Sequence, residues 1–308
     1  MVPLTVENIK KSFGNVQALR GVNLQVAKGQ IVGLIGPDGA GKTTLMRIVV
    51  TLLNADEGEI YFLGKPTKNN IGFVRANVGY MPQRFSLYPD LTVEENLRFF
   101  GDLFDVPQAV QTKRMEKLYQ FSRLGPFKNR RADALSGGMK QKLALSCMLM
   151  HEPGVMVLDE PTYGVDPVSR AELWDILKQL ASEGKSILVS TAYMDEAELC
   201  DQVGLIFKGK ILASGKPTDL TQSLKRPIYL ITTNNAHQLY LQLQTVFPAQ
   251  DCNLFGNGVH LIDRKQLGLE QIKKTLLDRQ IEFHDIQPIQ PDIEDTFLEL
   301  IHQREVPA

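Results

Sequence analysis

The sequence predicts an α/β domain, a mixed sheet with helices on both faces, followed by a small α+β domain. Three observations carry that expectation. IVGLIG (31–36) is a compact apolar run that passes straight into the glycine-rich GPDGAGKT (36–43) and then into an apolar-faced helix. VMVLDEP (155–161) is a second buried-strand pattern, and it ends on two carboxylates. At 308 residues the chain exceeds the usual size of one core, because domains cluster around roughly 100–150 residues. A division into residues 1–222 and 227–308 is therefore expected.

The elements follow in order. Residues 1–30 alternate short apolar stretches, LTVENI and GVNLQV, with turn residues, which predicts an antiparallel β subdomain. The glycine-rich turn opens the helix TTLMRIVVTLL, and ADEGEIYFLGK and NVGYMPQ read as further strands. TVEENLRFFGDLF starts a helix at Thr92, with acidic residues in its first turn where the helix dipole favours them. From about 108 to 152 the pattern stays helical, with VQTKRMEKLYQFSRL and LSGGMKQKLALSCMLM separated by the basic KNRRAD. Residues 90–152 are thus expected to form a helical subdomain. Asp166 followed by Pro167 begins a helix through about Ser182. ILVS and VGLIFKGKILASG finish the sheet, STAYMDEAE (190–198) runs from a strand into an acidic helix, and GKPTDLTQSLKRP reads as a linker. The remainder reads strand, helix, hairpin, helix, strand, helix, a small α+β layer with no recognisable chemistry and an apolar stripe on its last helix, IEDTFLELI.

Composition narrows the function. Hydrophobic content of 43% and charged content of 22% are ordinary for a soluble globular protein, and a formal net charge of −1 offers no overall attraction to polyanions. No nucleic acid partner is expected. Cys147, Cys200 and Cys252 have no metal-ligand spacing and fit reduced structural thiols, a cytosolic pattern. No stretch approaches the roughly 18–20 apolar residues of a membrane span, so any membrane role must come through a partner. His151, His237, His260, His284 and His302 are scattered and read as surface or packing residues.

Gly36, Pro37, Asp38, Gly39, Ala40, Gly41, Lys42 and Thr43 fit G-x-x-x-x-G-K-[ST], between a strand and a helix as that motif requires. Its glycines let backbone N–H groups curl around phosphates, the helix N-terminus adds positive potential, Lys42 reaches the β- and γ-phosphates, and the Thr43 hydroxyl ligates Mg²⁺. Thr44 continues the loop into the helix. Asp159 and Glu160 arrive at the carboxyl end of a strand, where α/β sheets place ligands. Asp159 suits holding the metal through water, and Glu160 suits orienting or deprotonating the attacking water. These motifs fit a kinase, a GTPase or a motor. LSGGMKQK (135–142) adds Ser136 as the cap of a helix whose first turn contains Gly137 and Gly138, a second anion-receptive N-terminus.

Taken in order, GPDGAGKTTLMR, GYMPQ, LTVEENL, LSGGMKQKL and LDEPTYGVDP make residues 2–220 resemble an ATP-binding cassette (ABC) subunit of the P-loop NTPase superfamily, closest to the type that powers ABC-2 drug and polysaccharide exporters. QPDIEDTFLELI also resembles the C-terminal segment of that group. The resemblance implies ATP and Mg²⁺ as cofactors, an ABC-2-type transmembrane permease as partner, and a position on the inner face of the membrane through that permease. It places Phe13 against adenine, makes Gln83 the link between Mg²⁺, the lytic water and the permease, and gives RFSLYPDLTVEEN the coupling helix, with at least one of Tyr80, Phe85 and Tyr88 facing the partner and the others free to be core. It also implies that two nucleotide-binding domains meet head to tail, each ATP lying between one phosphate loop and the partner's Ser136–Gly137–Gly138, with Asp166 of YGVD communicating between sites.

The chain departs from the family pattern mildly at Phe13, where many relatives have tyrosine, and at YGVD, where relatives usually read SGLD, and sharply at one further position. Relatives usually read STHYMDEAE, with a histidine on the γ-phosphate, and this chain has Ala192. Losing one preorganised donor costs about 10²–10³ in rate, roughly 3–4 kcal/mol. Either a homodimer with two slow sites is implied, or, preferred, a heterodimer in which Ser136 completes an active site on a partner. The alternative class, a soluble cassette ATPase of nucleic-acid or translation work, usually has coiled-coil insertions or two fused cassettes, which this sequence does not display.

Overall fold

The computed structural model describes residues 2–84 and 87–305, and the chain divides into two compact units, Met1–Pro217 and Thr218–Ala308. Phe85 lies outside the described residues. In the first unit, β1 (Leu4–Phe13), β2 (Val16–Val26), β4 (Glu57–Phe62) and β5 (Lys65–Pro66) form an antiparallel sheet in the order β2-β1-β4-β5. Leu4 and Val6 of β1 stand opposite Val26 and Leu24 of β2, and all four are buried, so this sheet has a fully apolar inner face.

The larger sheet contains β3 (Ile31–Ile35), β6 (Val78–Met81), β7 (Val155–Asp159), β8 (Ser186–Thr191), β9 (Gln202–Phe207) and β10 (Lys210–Gly215) in the order β10-β9-β3-β8-β7-β6. Five of these strands are parallel, and β10 runs antiparallel to β9, which makes the sheet mixed. Every residue of β3, β7 and β8 is buried, as expected of central parallel strands covered on both faces. With β8 between them, β3 and β7 bring Ile35 and Asp159 to one edge of the sheet: Ile35 pairs with Thr191, and Asp159 with Ser190.

The helices of this unit are α1 (Lys42–Val49), α2 (Ile71–Asn77), α3 (Val93–Leu103), α4 (Gln108–Ser122), α5 (Gly137–Met148) and α6 (Pro167–Ser182). Helix α3 begins as expected at Thr92, whose hydroxyl accepts from the Glu95 N–H at 3.2 Å while Glu95 accepts from the Thr92 N–H at 2.8 Å. The Glu95 carboxyl is held below the usual carboxylate range, chiefly by that backbone hydrogen bond from Thr92. The segment after β8, expected as an acidic helix, is a 3₁₀ turn over Met194–Leu199. The expected linker is helical over its first part, α7 (Pro217–Ser223), with proline at the helix start and Asp219 in its first turn.

In the second unit β11 (Ile228–Thr232), β12 (Cys252–Phe255), β13 (Gly258–Ile262) and β14 (Asp285–Ile289) form an antiparallel sheet in the order β12-β13-β11-β14. Helices α8 (Ala236–Leu243), α9 (Gly268–Asp278) and α10 (Ile293–Glu305) complete it. Ile231, Leu239, Leu243, Val259, Leu261, Ile272 and Leu276 make a core of its own. Cys147, Cys200 and Cys252 are all buried free thiols, and burial pushes each thiol up from its ordinary range, Cys252 to about 12. No helix among the described residues is long and apolar enough to cross a membrane.

Candidate functional site

At the carboxyl end of β3 the chain turns through the glycine-rich loop into α1. Gly36 is required by close approach: a Cβ there would lie 2.1 Å from the Ile206 carbonyl oxygen. Gly41 caps α1 in the left-handed region at φ 110°, and its added Cβ would meet the Ala18 carbonyl at 2.6 Å. No side chain caps α1 and no acid occupies its first turn. The free N–H groups of this helix start thus remain available to an anion.

Lys42 is buried and folds back over its own loop, donating to the carbonyls of Gly36 at 2.7 Å and Pro37 at 3.1 Å. Its Nζ also lies 3.0 Å from Glu160 Oε1 and 3.8 Å from the exposed Asp38. Glu160 is buried at the end of β7, and its second oxygen accepts from Gln83 Nε2 at 2.8 Å. It adopts φ 51°, a left-handed backbone that non-glycine residues rarely occupy and that is concentrated at functional sites. The Thr43 hydroxyl donates to Asp159 Oδ1 at 3.1 Å, while Asp159 Oδ2 is buried without a hydrogen-bond partner. An orphaned buried carboxylate oxygen beside a threonine hydroxyl fits a hard cation with oxygen ligands.

The other expected residues occupy separate places. Phe13, at the end of β1, keeps half its surface exposed, with Lys11 Nζ 5.6 Å from its ring centroid. Ala40 is buried and Thr44 is partly buried at the start of α1. Ser136 caps α5, accepting from the Met139 N–H at 3.3 Å, with Gly137 and Gly138 in the first turn. Asp166 caps α6, accepting from the Ser169 N–H at 2.9 Å, and that bond lowers its carboxyl below the ordinary value. Ala192, just beyond β8, is partly buried. Tyr80 packs partly buried against the core, whereas Tyr88 stays exposed with its ring edge-on to Phe99.

Known proteins resemble this chain over most of its length. The ABC transporter family matches residues 19–163. The probable multidrug ABC transporter ATP-binding protein YbhF of Escherichia coli is 41% identical over 302 residues, covering 97% of this chain and 52% of that protein. The linearmycin resistance ATP-binding protein LnrL of Bacillus subtilis is 32% identical over 308 residues, covering 96% of this chain and 97% of its own length. This chain belongs to the ABC transporter family. It spans about half the length of the YbhF-type relatives and nearly all of LnrL. Among solved structures, a dimeric ATP-binding cassette in a post-hydrolysis state with ADP and Pi superposes with a TM-score of 0.63 at 26% identity, covering 69% of this chain and 98% of that one.

Within this ABC protein, three features escaped the sequence reading. Ser190 is a hub: its hydroxyl donates to Asp159 Oδ1 at 2.7 Å and accepts from the Glu160 N–H at 3.0 Å. The hydroxyl pair Ser190–Thr191 ending the apolar ILV run of β8 was the available signal. Gly138 allows a close helix approach, since a Cβ there would meet the Ser169 side chain at 2.3 Å. Glu196 is 1% exposed with neither carboxylate oxygen hydrogen-bonded, which nothing in MDEAE announces.

Proposed function

We propose that the chain is the ATP-binding subunit of an ABC-2-type membrane exporter, driving export of a drug-like or similar substrate by ATP-dependent dimerisation and ATP hydrolysis. The observation that carries this reading is the cluster Lys42, Glu160 and Gln83 beside Thr43 and Asp159, at the carboxyl end of the central strands and next to an uncapped helix start. The names of YbhF and LnrL, multidrug transport and linearmycin resistance, support an exporter of that class.

The loop 36–44 and the start of α1 bind the triphosphate through backbone N–H groups, with Lys42 turned from Glu160 toward the β- and γ-phosphates. The half-exposed ring of Phe13 offers a π-face to the adenine. Thr43, Asp159 and Gln83 would hold Mg²⁺, which would offset negative charge on the triphosphate. Glu160, released from Lys42, accepts a proton from the attacking water, and Gln83 orients that water against it. Ser136, Gly137 and Gly138 present a helix N-terminus to the nucleotide of a second cassette, and Asp166 relays between the two sites. The post-hydrolysis dimer among the solved cassettes supports that pairing.

A groove beside Gln83, lined by Tyr80, Leu87, Phe100, Phe104, Ala144 and Met148, supports docking of a helix from the permease at the membrane's inner face. Ala192 leaves the site without a γ-phosphate donor from this segment, which favours a heterodimer with a second cassette that retains one. Glu160→Gln tests the core of the proposal. Turnover is expected to fall about 10²–10⁴-fold, the usual weight of a general base. ATP with magnesium should then hold the protein in a dimer in gel filtration, with itself or with the second cassette added, and a variant that stays monomeric in both cases defeats the reading. Co-purification of a membrane subunit from solubilised membranes checks the partner.

A further inference from the structure

We propose that Arg170 is a positioning residue that pins the segment carrying Ala192 to the first turn of α6. The half-site the chain keeps and the Ser136 half-site it lends then move as one piece. The inference rests on the proposed function only where it refers to hydrolysis; the pinning itself stands on geometry.

Fully buried Ala197 roots the segment 192–199. Its regular structure is a short 3₁₀ helix over Met194–Leu199, whose hydrogen-bond geometry is weaker than that of an α-helix. It opens with the Tyr193 N–H donating to Thr191 Oγ1 at 3.0 Å. Arg170 supplies three contacts from outside. Its Nη2 donates to Asp195 Oδ2 at 2.6 Å, its guanidinium carbon lies 5.1 Å from the Tyr193 ring centroid, and its Nε stands 3.8 Å from Glu196 Oε1. The last contact matters most, because Glu196 is buried with both oxygens lacking a hydrogen bond. A buried carboxylate in that condition is costly unless a cation faces it. The planar fork of arginine can stack, donate and face a second charge at once, which lysine cannot match.

Both ends of this clamp lead to the site. Upstream of Ala192, the Thr191 carbonyl accepts from the Gly36 N–H at 3.3 Å, and Ser190 bonds both Asp159 and Glu160. On the other side, the Arg170 N–H donates to the Asp166 carbonyl at 2.9 Å, and the adjacent Ser169 is the residue against which Gly138 packs. One turn of α6 therefore touches the Ser136 helix, the Asp166 cap and, through Arg170, the Ala192 segment.

Hydrogen exchange read by mass spectrometry on Arg170→Gln and Arg170→Lys tests the pinning. Peptides spanning 192–199 are expected to exchange roughly tenfold faster in the glutamine variant, with α1 and β7 unchanged and the charge-retaining lysine variant intermediate. Wild-type exchange at 192–199 in both variants overturns the proposal. Turnover supplies the second arm. Ala192→His should raise turnover several-fold at unchanged KM for ATP, and adding Arg170→Gln should erase that gain while KM stays put. Retention of the full gain in the double variant also overturns the proposal. If Ala192→His alone gives no gain while 192–199 still loosens in Arg170→Gln, the hydrolytic reading of position 192 falls and the positioning role stands.

Discussion

Two clusters of buried polar groups, one at the mouth of the large sheet and one in the second unit, are built on opposite plans. At the phosphate loop, groups are left wanting: Asp159 Oδ2 has no partner, α1 has no capping side chain, and Glu160 is held in a left-handed conformation. In the second unit the groups close on each other. His260 Nδ1 lies 3.0 and 3.2 Å from the two oxygens of Asp295, and its ring stacks on Phe255. The Asp295 N–H donates to the Asp292 carboxylate at 2.8 Å and the Asp292 N–H to the Asp295 carboxylate at 3.2 Å across the start of α10. Arg264 bridges Asp251 and Glu299, and Asp263 accepts from the N–H groups of Leu267 and Gly268. His260, Asp292 and Asp295 bring three potential metal ligands within 4.8 Å of one another, yet their bonds are already committed to pairing and capping. The difference lies in what faces the unmet atoms: Asp159 Oδ2 belongs to a carboxylate held by Thr43 at the uncapped start of α1, whereas Arg264 Nη2 and Glu299 Oε2, also without hydrogen bonds, face each other as an ion pair.

The comparison can be broken from either end. Lys42→Ala should strike ATP binding. Hydrogen bonds to charged groups are worth about 1.5–3 kcal/mol, so affinity for ATP is expected to fall about tenfold to a hundredfold in calorimetric titration, and the unfolding midpoint should fall too because buried Glu160 loses the cation that faces it. Asp295→Ala should strike folding alone. It removes the partner of a buried histidine and half of a helix cap, and about 2 kcal/mol of stability is expected to vanish in denaturant unfolding while ATP affinity is unchanged. Equal ATP affinity in Lys42→Ala, or lost affinity in Asp295→Ala, would dissolve the distinction.

The smallest effect sharpens it through pH. Burial, ahead of all other influences, raises the Asp292 carboxyl above its ordinary value. A carboxyl raised on folding contributes stability that is fully present below its unfolded pKa and lost as pH rises through the folded value. Asp292→Asn stays neutral and still accepts from the Asp295 N–H. It should therefore be at least as stable as the parent at pH 7, and its advantage should shrink as acid approaches the carboxylate range, about pH 4. A clear loss of stability at pH 7 would mean that the charge, and not merely the acceptor, holds α10.

What the sequence revealed and what it hid have a common physical basis. Local grammar was legible. The strand, glycine turn and helix at 31–49, the acids ending β7, the Thr92 cap and the order of elements after 227 are all set by residues close in the chain. Partnerships across the fold were not. Ser190 with Asp159, Gly138 with Ser169, Arg170 with Glu196 and His260 with Asp295 each join residues roughly thirty apart in sequence, and spacing alone does not reveal them. His260 read as a bland surface or packing residue, and the structure makes it a buried pairing residue. IEDTFLELI read as an apolar stripe, yet Asp295 and Glu299 are buried because their partners His260 and Arg264 lie on β13 and just after it, and buried Thr296 donates to the Asp292 carbonyl at the helix start. The 3₁₀ turn at 194–199 took a helical pattern because six residues are too few for periodicity to decide between helix types.

The three concealed thiols give the molecule a practical property. Only a thiolate reacts readily with maleimides, and burial both shields these sulfurs and keeps them protonated. The natural chain is thus a quiet background for attaching probes. A single cysteine introduced at exposed Val168, beside the Asp166 cap, could carry a spin label or fluorophore and report the approach of a neighbouring molecule without first stripping the native sulfurs.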